Sequence, residues 1–213
     1  MKQSFLILFS ITGVLILCGA FLYLSKLSGT KEGHRANTHL LIPDKLIKKL
    51  MSHGDEAKQF VKKYDFNNSV CLLIDMSIES GQNRLFLYDL SKDSVLDKGL
   101  VTHGRCNEVW LSGRKYDNKV GSGCTSLGKY KIGHAYKGRF GLAYKLNGLD
   151  STNSNAFKRY VVLHAHECVP DHEVQPYPIC QSDGCPTVSK RFLMELAGVI
   201  DTSSQPVLLW IYN

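Results

Sequence analysis

Three histidines and three cysteines fall within twenty-five residues, in the stretch HAHECVPDHEVQPYPICQSDGCPTV from His164 to Val188. Residues of these types can ligate zinc, form disulfides, or pair a thiol nucleophile with an imidazole base. As metal ligands, His164, His166, Cys168 and His172 would supply four suitable donors, with Cys180 and Cys185 spare. Their spacing is not that of the common zinc motifs, so a zinc-binding module is the lesser reading and we expect no metal. As ordinary loop residues, His166 and His172 need no ligand at all.

The nucleophile reading draws on local structure. In YVVLHAHECV, four residues lead into His164 like a buried strand whose end emerges at a surface. Alternate strand residues share a face, so His164 and His166 point the same way. Cys185 follows twenty-one residues after His164, in SDGCPTVSKRFL. Gly184 before it permits unusual backbone angles and close approach. A helical pattern begins a few residues later, with Thr187 or Ser189 as its cap. The thiolate is the nucleophile, and helix-entrance N–H groups and a nearby imidazole both favour it. The N–H groups of Asp183, Gly184 and Cys185 could then form an oxyanion hole. His164 would serve as base and then as acid.

The rest of the sequence must position these groups. VCLLIDMS, RLFLYDL, SVLDKGLVTHG, SLGKYKIG, FGLAYKLNGL, RYVVLHAH and VLLWIY are short apolar runs split by turn residues. One late helix, SKRFLMELAGVI, places Phe192, Leu193, Leu196, Ala197 and Ile200 on one side. Mostly strands with few helices predict a mainly β (β-rich α+β) domain over residues 67–213. Ahead of it, PDKLIKKLMSHG and DEAKQFVKKYDF predict a short helical hairpin over residues 43–66, broken at Gly54. Residues 26–42 read as a polar linker. Phe5 to Leu24 contain no charge. As a helix they would span about 30 Å, a bilayer core, so residues 1–25 read as a membrane anchor. A cleaved signal is the alternative, although no small-x-small cleavage site is evident.

Seven cysteines are many for a cytosolic chain of this size. Cys106, Cys124, Cys168 and Cys180 lie in loop-like contexts, whereas Cys71 lies in an apolar strand and reads as a buried thiol. Four cysteines allow three pairings, and we take Cys106–Cys124 and Cys168–Cys180. This usage points to an oxidising compartment, the periplasm or cell envelope. The charges around the apolar segment lean weakly the other way. Net charge is +7, but the lysines are scattered and not interleaved with aromatics. That argues against a nucleic-acid partner and for a solvated basic surface.

Taken together, VVLHA and SDGC about twenty residues on resemble the L,D-transpeptidase (YkuD-like) catalytic domain. The Gly-Cys-Pro step is similar to the branch called murein L,D-transpeptidase catalytic domain. The likeness runs in order through LLIDMSIESGQNRLFLYDLSKDSVL, LVTHGR, GSGCTSLGKYKIGHAYKGRFGLAYKLNGLD and NAFKRYVVLHAH, covering about residues 70–213. It implies an L,D-transpeptidase-type β-sandwich and no cofactor. The implied substrate is a peptidoglycan stem tetrapeptide, cleaved before its terminal D-alanine through a thioester on Cys185. The acceptor would be an amine or, in a carboxypeptidase, water; a wall-binding module with an idle thiol is a further alternative. The resemblance makes His164 the base, oriented by the Ala165 carbonyl, and matches Ser182 to the motif's Ser/Thr. His103 also matches a family position, where substrate contact and a strand-end structural role are both open. Asp183, Pro186 and Thr187 depart from the family pattern. Asp183 would raise the thiol pKa unless its side chain points away. Recognition of the substrate carboxylate must come from elsewhere, with Lys190, Arg191 and Arg159 as candidates.

Overall fold

A computed structural model describes residues 43–213. The proposed membrane anchor and the linker lie outside the described residues. Among the described residues, no helix is long and apolar enough to cross a membrane.

The apolar runs become strands. β1 (Val70–Asp75), β2 (Leu85–Asp89), β3 (Ser94–Gly99), β4 (Gly128–Gly138), β5 (Gly141–Gly148), β6 (Val162–Ala165), β7 (Thr187–Val188) and β8 (Leu208–Tyr212) form one sheet. Its order is β3-β2-β1-β8-β4-β5-β6-β7. β1 and β8 pair in parallel, as do β6 and β7; the other neighbours are antiparallel. The sandwich expected from the resemblance is therefore one continuous hydrogen-bonded sheet with a helix on each face.

Alternation explains the two faces. Cys71 and Leu73 of β1 join Phe86 and Tyr88 of β2 and Leu208 and Trp210 of β8 on one side. Leu72 and Ile74 join Leu85, Leu87, Leu209 and Ile211 on the other. Apart from Asp75 and Asp89 at the ends of β1 and β2, these strands are apolar because both of their faces are covered. In β4 and β5, Tyr130, Ile132, Tyr144 and Leu146 are buried while Lys131 and Lys145 are exposed, the pattern of strands with one wet face.

The first face is covered by helix α1 (Asp44–Tyr64). This one helix replaces the hairpin predicted for residues 43–66. Leu50, Gly54, Ala57 and Val61 are its buried residues, and their spacing stays in phase through the glycine. Gly54 makes a close approach, not a turn: a Cβ there would lie 2.5 Å from Cε1 of Tyr88. The opposite face is covered by helix α2 (Lys190–Ile200), which buries Phe192, Leu193, Leu196 and Ala197. Ser189 caps it, its side chain accepting from Phe192 N–H at 3.2 Å.

Both disulfides are formed in the pairing taken above, Cys106–Cys124 and Cys168–Cys180. The second clips the loop between β6 and β7. That loop has a small core of Val169 and Ile179 against Leu100. It is also tied to the β1–β2 connection, Val174 N–H donating to the Gly81 carbonyl at 2.9 Å and Asn83 N–H to Glu173 Oε1 at 2.8 Å.

Candidate active site

Strand β6 divides its side chains between the core and a cleft. Leu163 and Ala165 belong to the core. Val162 and His164 line a cleft of about 700 Å³, and so do His166 and Cys185. The strand alternation anticipated for His164 and His166 is what brings both imidazoles to this cleft.

His164 is held at both ring nitrogens. Nδ1 lies 3.1 Å from the Ala165 carbonyl, and Nε2 lies 3.1 Å from the Thr187 hydroxyl. A carbonyl can only accept, so Nδ1 carries the proton and the Nε2 lone pair accepts from Thr187. The Phe140 ring stacks on the imidazole at 5.0 Å with 15° between planes. Burial lowers the His164 pKa, the Ala165 carbonyl opposes this, and His166 adds to the lowering. His164 is thus a neutral imidazole with its basic nitrogen on the cleft side of the strand.

Cys185 is a free thiol on a turn built from hydroxyls. Its backbone carbonyl accepts from Ser182 Oγ at 2.7 Å and from Thr102 Oγ1 at 3.1 Å. Ser182 Oγ also accepts from Gly184 N–H at 3.2 Å. Gly184 has φ +105°, and a Cβ there would fall 2.5 Å from the Cys124 carbonyl. Only glycine suits both demands. Strand β7 pairs with β6 through His164 and Thr187, which sets the cysteine turn beside the histidine strand.

The thiol itself lies 3.7 Å from the Tyr160 carbonyl, to which it donates. Burial raises its pKa; the Val162 N–H and the Arg159 charge oppose this without cancelling it, and Asp183 adds a small rise. This corrects the expectation of a thiolate at a helix mouth. The two residues of β7 separate Cys185 from the cap of α2, so the helix N–H groups serve Ser189 and not the sulfur. The resting pair is a neutral thiol and a neutral imidazole, each hydrogen-bonded to a third group and not to each other. Such a pair reacts when the imidazole takes the thiol proton as the sulfur attacks.

The other sequence candidates divide. Gly184 cannot offer its N–H to an oxyanion, because Ser182 takes it. The Cys185 N–H has no acceptor among the described residues and remains available. Ser182 lines the cleft, but its hydroxyl is spent inside the turn. Asp183 points away to Arg105, whose Nε donates to it at 2.8 Å. Arg159 also lines the cleft, yet it donates to the Asp117 carbonyl at 2.9 Å, to Ser126 Oγ at 3.0 Å and to the Cys124 carbonyl. It braces the cysteine turn from behind. Lys190 and Arg191 lie elsewhere, in a shallow depression with Asp171 and Glu195, both of which pair with Arg191.

His103 takes the structural one of its two open roles. It is 6 % exposed and does not line the Cys185 cleft. Its Nδ1 lies 3.1 Å from the guanidinium of Arg84, which is 0 % exposed and also donates to the Val101 and Ile78 carbonyls. Burial, then the charges of Arg84 and Arg114, push the His103 pKa down to about 4. Its carbonyl accepts from Ser182 N–H at 2.9 Å. His103 supports the cysteine turn from below.

Sequence reading missed Thr102, Thr187 as a partner of His164, Phe140 and Tyr160. Threonines and exposed aromatics carry no spacing signal; only tertiary pairing gives them a role.

A free cysteine and a buried histidine of fixed tautomer, sharing one cleft on a mixed β-sheet, define a class of thiol-bearing, mainly β proteins. The L,D-transpeptidase catalytic domain family matches residues 43–212, and the chain belongs to that family. Solved structures similar to it include an L,D-transpeptidase fragment from Xylanimonas cellulosilytica, 14 % identical, covering 68 % of this chain and 60 % of that one, with TM-score 0.41. An L,D-transpeptidase from Mycobacterium smegmatis is 13 % identical over 68 % of this chain and 59 % of its own, with TM-score 0.40. The helical cell shape determining protein Pgp2 from Campylobacter jejuni, as a K307A mutant, is 14 % identical over 77 % and 56 %, with TM-score 0.44. The chain thus spans less than two thirds of each of these structures. No curated protein matches the sequence.

Proposed function

We propose that the protein is an L,D-transpeptidase that acts on peptidoglycan stem tetrapeptides and releases D-alanine. The observation that carries this is the meeting of the free Cys185 thiol and the Nε2 lone pair of His164 in one cleft. Nε2 exchanges its Thr187 contact for the thiol proton as Sγ adds to the carbonyl before the terminal residue. The resulting oxyanion is met by the Cys185 N–H. The protonated His164 then gives its proton to the leaving amine, and a thioester remains on Cys185. An amine of a second stem adds to the thioester, gives up its proton to His164, and expels the thiolate. The Ala165 carbonyl keeps the imidazole oriented throughout. The two disulfides support a location in an oxidising envelope compartment.

The test is product analysis by mass spectrometry with a defined tetrapeptide, with and without an acceptor stem. D-alanine release and a cross-linked product are expected from the native protein, and neither from Cys185→Ala. Turnover by Cys185→Ala at the native rate overturns the reading. Release of D-alanine with no cross-link at any acceptor concentration reassigns the acceptor to water.

A further inference from the structure

Three arginines line the Cys185 cleft: Arg105, Arg139 and Arg159. Arg105 is paired with Asp183, and Arg159 is spent on two carbonyls and a hydroxyl. Arg139 is exposed, and among the described residues its guanidinium has no ion pair and no hydrogen bond. It sits over the ring of Phe140, 5.4 Å from the centroid. Arg139 and Phe140 are the two turn residues between β4 and β5, so this hairpin carries the cation over the cleft.

Phe140 links Arg139 to both imidazoles. It stacks on His164 at 5.0 Å and meets His166 edge-on at 5.2 Å. His166 adds a neutral donor. The Cys168 N–H donates to its Nδ1 at 3.1 Å, so Nδ1 bears the lone pair and the proton sits on Nε2. This is the reverse of His164. Two histidines on one strand face thus offer opposite chemistry, His164 an acceptor and His166 a donor.

The geometry points to Arg139 and the Nε2–H of His166 as the groups that hold the terminal carboxylate of the substrate, on the residue that leaves when Cys185 is acylated. This rests on the reading of the cleft as an acyl-transfer site. In a C-terminal leaving residue, one carbon separates the carboxylate from the amine nitrogen. That nitrogen must reach His164 to be protonated. Its carboxylate receptor must therefore lie within about 10 Å of His164, one residue's length with a hydrogen bond at either end. Arg139 is separated from His164 by the single Phe140 ring, which is 5.0 Å from the imidazole and 5.4 Å from the guanidinium. An arginine fork and an N–H donor suit a carboxylate. Among the described residues the receptor has no competing acid, because the one carboxylate lining the cleft, Asp183, is held by Arg105.

The experiment compares a tetrapeptide with a free C-terminus and its C-terminal amide, in turnover by the native protein and in calorimetric binding to Cys185→Ala. The native protein should prefer the acid by about ten- to a hundredfold, the scale of a charge-assisted hydrogen bond. Arg139→Ala should bring the acid-to-amide ratio near one, and Arg139→Lys should restore part of it. His166→Ala should cost a few-fold, recovered in His166→Gln, which keeps an N–H donor. Lys137→Ala removes a neighbouring charge that does not line the cleft, and it should keep the full preference. Equal binding of acid and amide by Cys185→Ala, or an acid preference that survives Arg139→Ala, overturns the inference. Acid-selective binding that depends on Arg139, in a native protein that turns over neither peptide, upholds it and overturns the proposed function instead.

Discussion

The side of the sheet built from β1, β2 and β8 and the side built from β5, β6 and β7 are held by different forces. On the first, Leu73, Ile74, Leu85, Leu208 and Leu209 are fully buried between α1 and the α2 core. Its order comes from apolar burial, which is strong and undirected. On the second, the turn that carries Cys185 is fixed by Ser182, Thr102 and Arg159, and His164 by Thr187 and Ala165. Both disulfides are on this side as well: Cys168 and Cys180 line the cleft, and the Cys124 carbonyl lies against Gly184. Burial can make a stable sheet, but it cannot aim a lone pair. Directed bonds place the reactive atoms, and the cross-links keep loops without much core from drifting.

This contrast can be broken in graded steps. Cys185→Ala should abolish turnover while leaving the melting temperature essentially unchanged; a large loss of stability would mean that the thiol is part of the core after all. Leu73→Ala, on the apolar side, should cost about 2–5 kcal/mol in denaturant unfolding, the range for a buried leucine. Turnover per folded molecule should persist. Loss of activity without loss of stability there would erase the division between the two sides.

Removing the Cys168–Cys180 bridge by a double Cys→Ser change should cost about 3 kcal/mol in the chain-entropy model, measured by urea unfolding. Because Cys168 N–H fixes His166 and Cys180 lies just before Gln181 and Ser182, kcat/KM should also fall roughly tenfold, about 1.4 kcal/mol. Thr187→Val removes the hydroxyl at His164 Nε2 with little change in volume. It should cost about 1 kcal/mol of stability and speed acylation in single-turnover kinetics, because Nε2 no longer has to give up the Thr187 contact before it takes the thiol proton. A slower acylation would show that Thr187 orients the ring and does not compete with the thiol.

The contrast also has a pH dependence. His103 is buried neutral with its pKa lowered to about 4 from an ordinary 6.5. The unfolded chain therefore binds more protons than the folded one between those values. Stability is full above pH 6.5 and is lost as pH falls toward 4. Melting curves at pH 7 and pH 4.5 should show that fall. In His103→Asn the difference should narrow, from a lower starting point at pH 7. His164, lowered in the same direction by burial, should keep the acid limb of activity below pH 6.5. Cys185, raised above 9.0, should react with iodoacetamide slowly at pH 7 and faster toward pH 10.

The sequence was legible where its signal is periodic. The β1 and β8 runs, the α2 stripe and the alternation that sets His164 and His166 on one face all follow from side-chain spacing. Loop contexts also picked out the four bridged cysteines, but which pairs with which came from the structure. Gly54 misled, because a glycine at a helix end and a glycine under a tyrosine ring look alike until Tyr88 is brought across from β2. Ser182 and Arg159 misled in the same way. Each is polar and near the motif, and each is spent on backbone or buried partners that come from distant parts of the chain. Phe140 and Arg139 are thirty or more residues from Cys185 in sequence, and only the β4–β5 hairpin delivers them.

Strand β8 lies between β1 and β4, so it alone joins the β3-β2-β1 group to the β4-β5-β6-β7 group. It is also the latest strand in chain order. A nascent chain can form either group early, but the two stay unstitched until residue 212 has left the ribosome. Assembly of the sheet therefore waits on β8, and until it arrives the edges of β1 and β4 stand open to other chains.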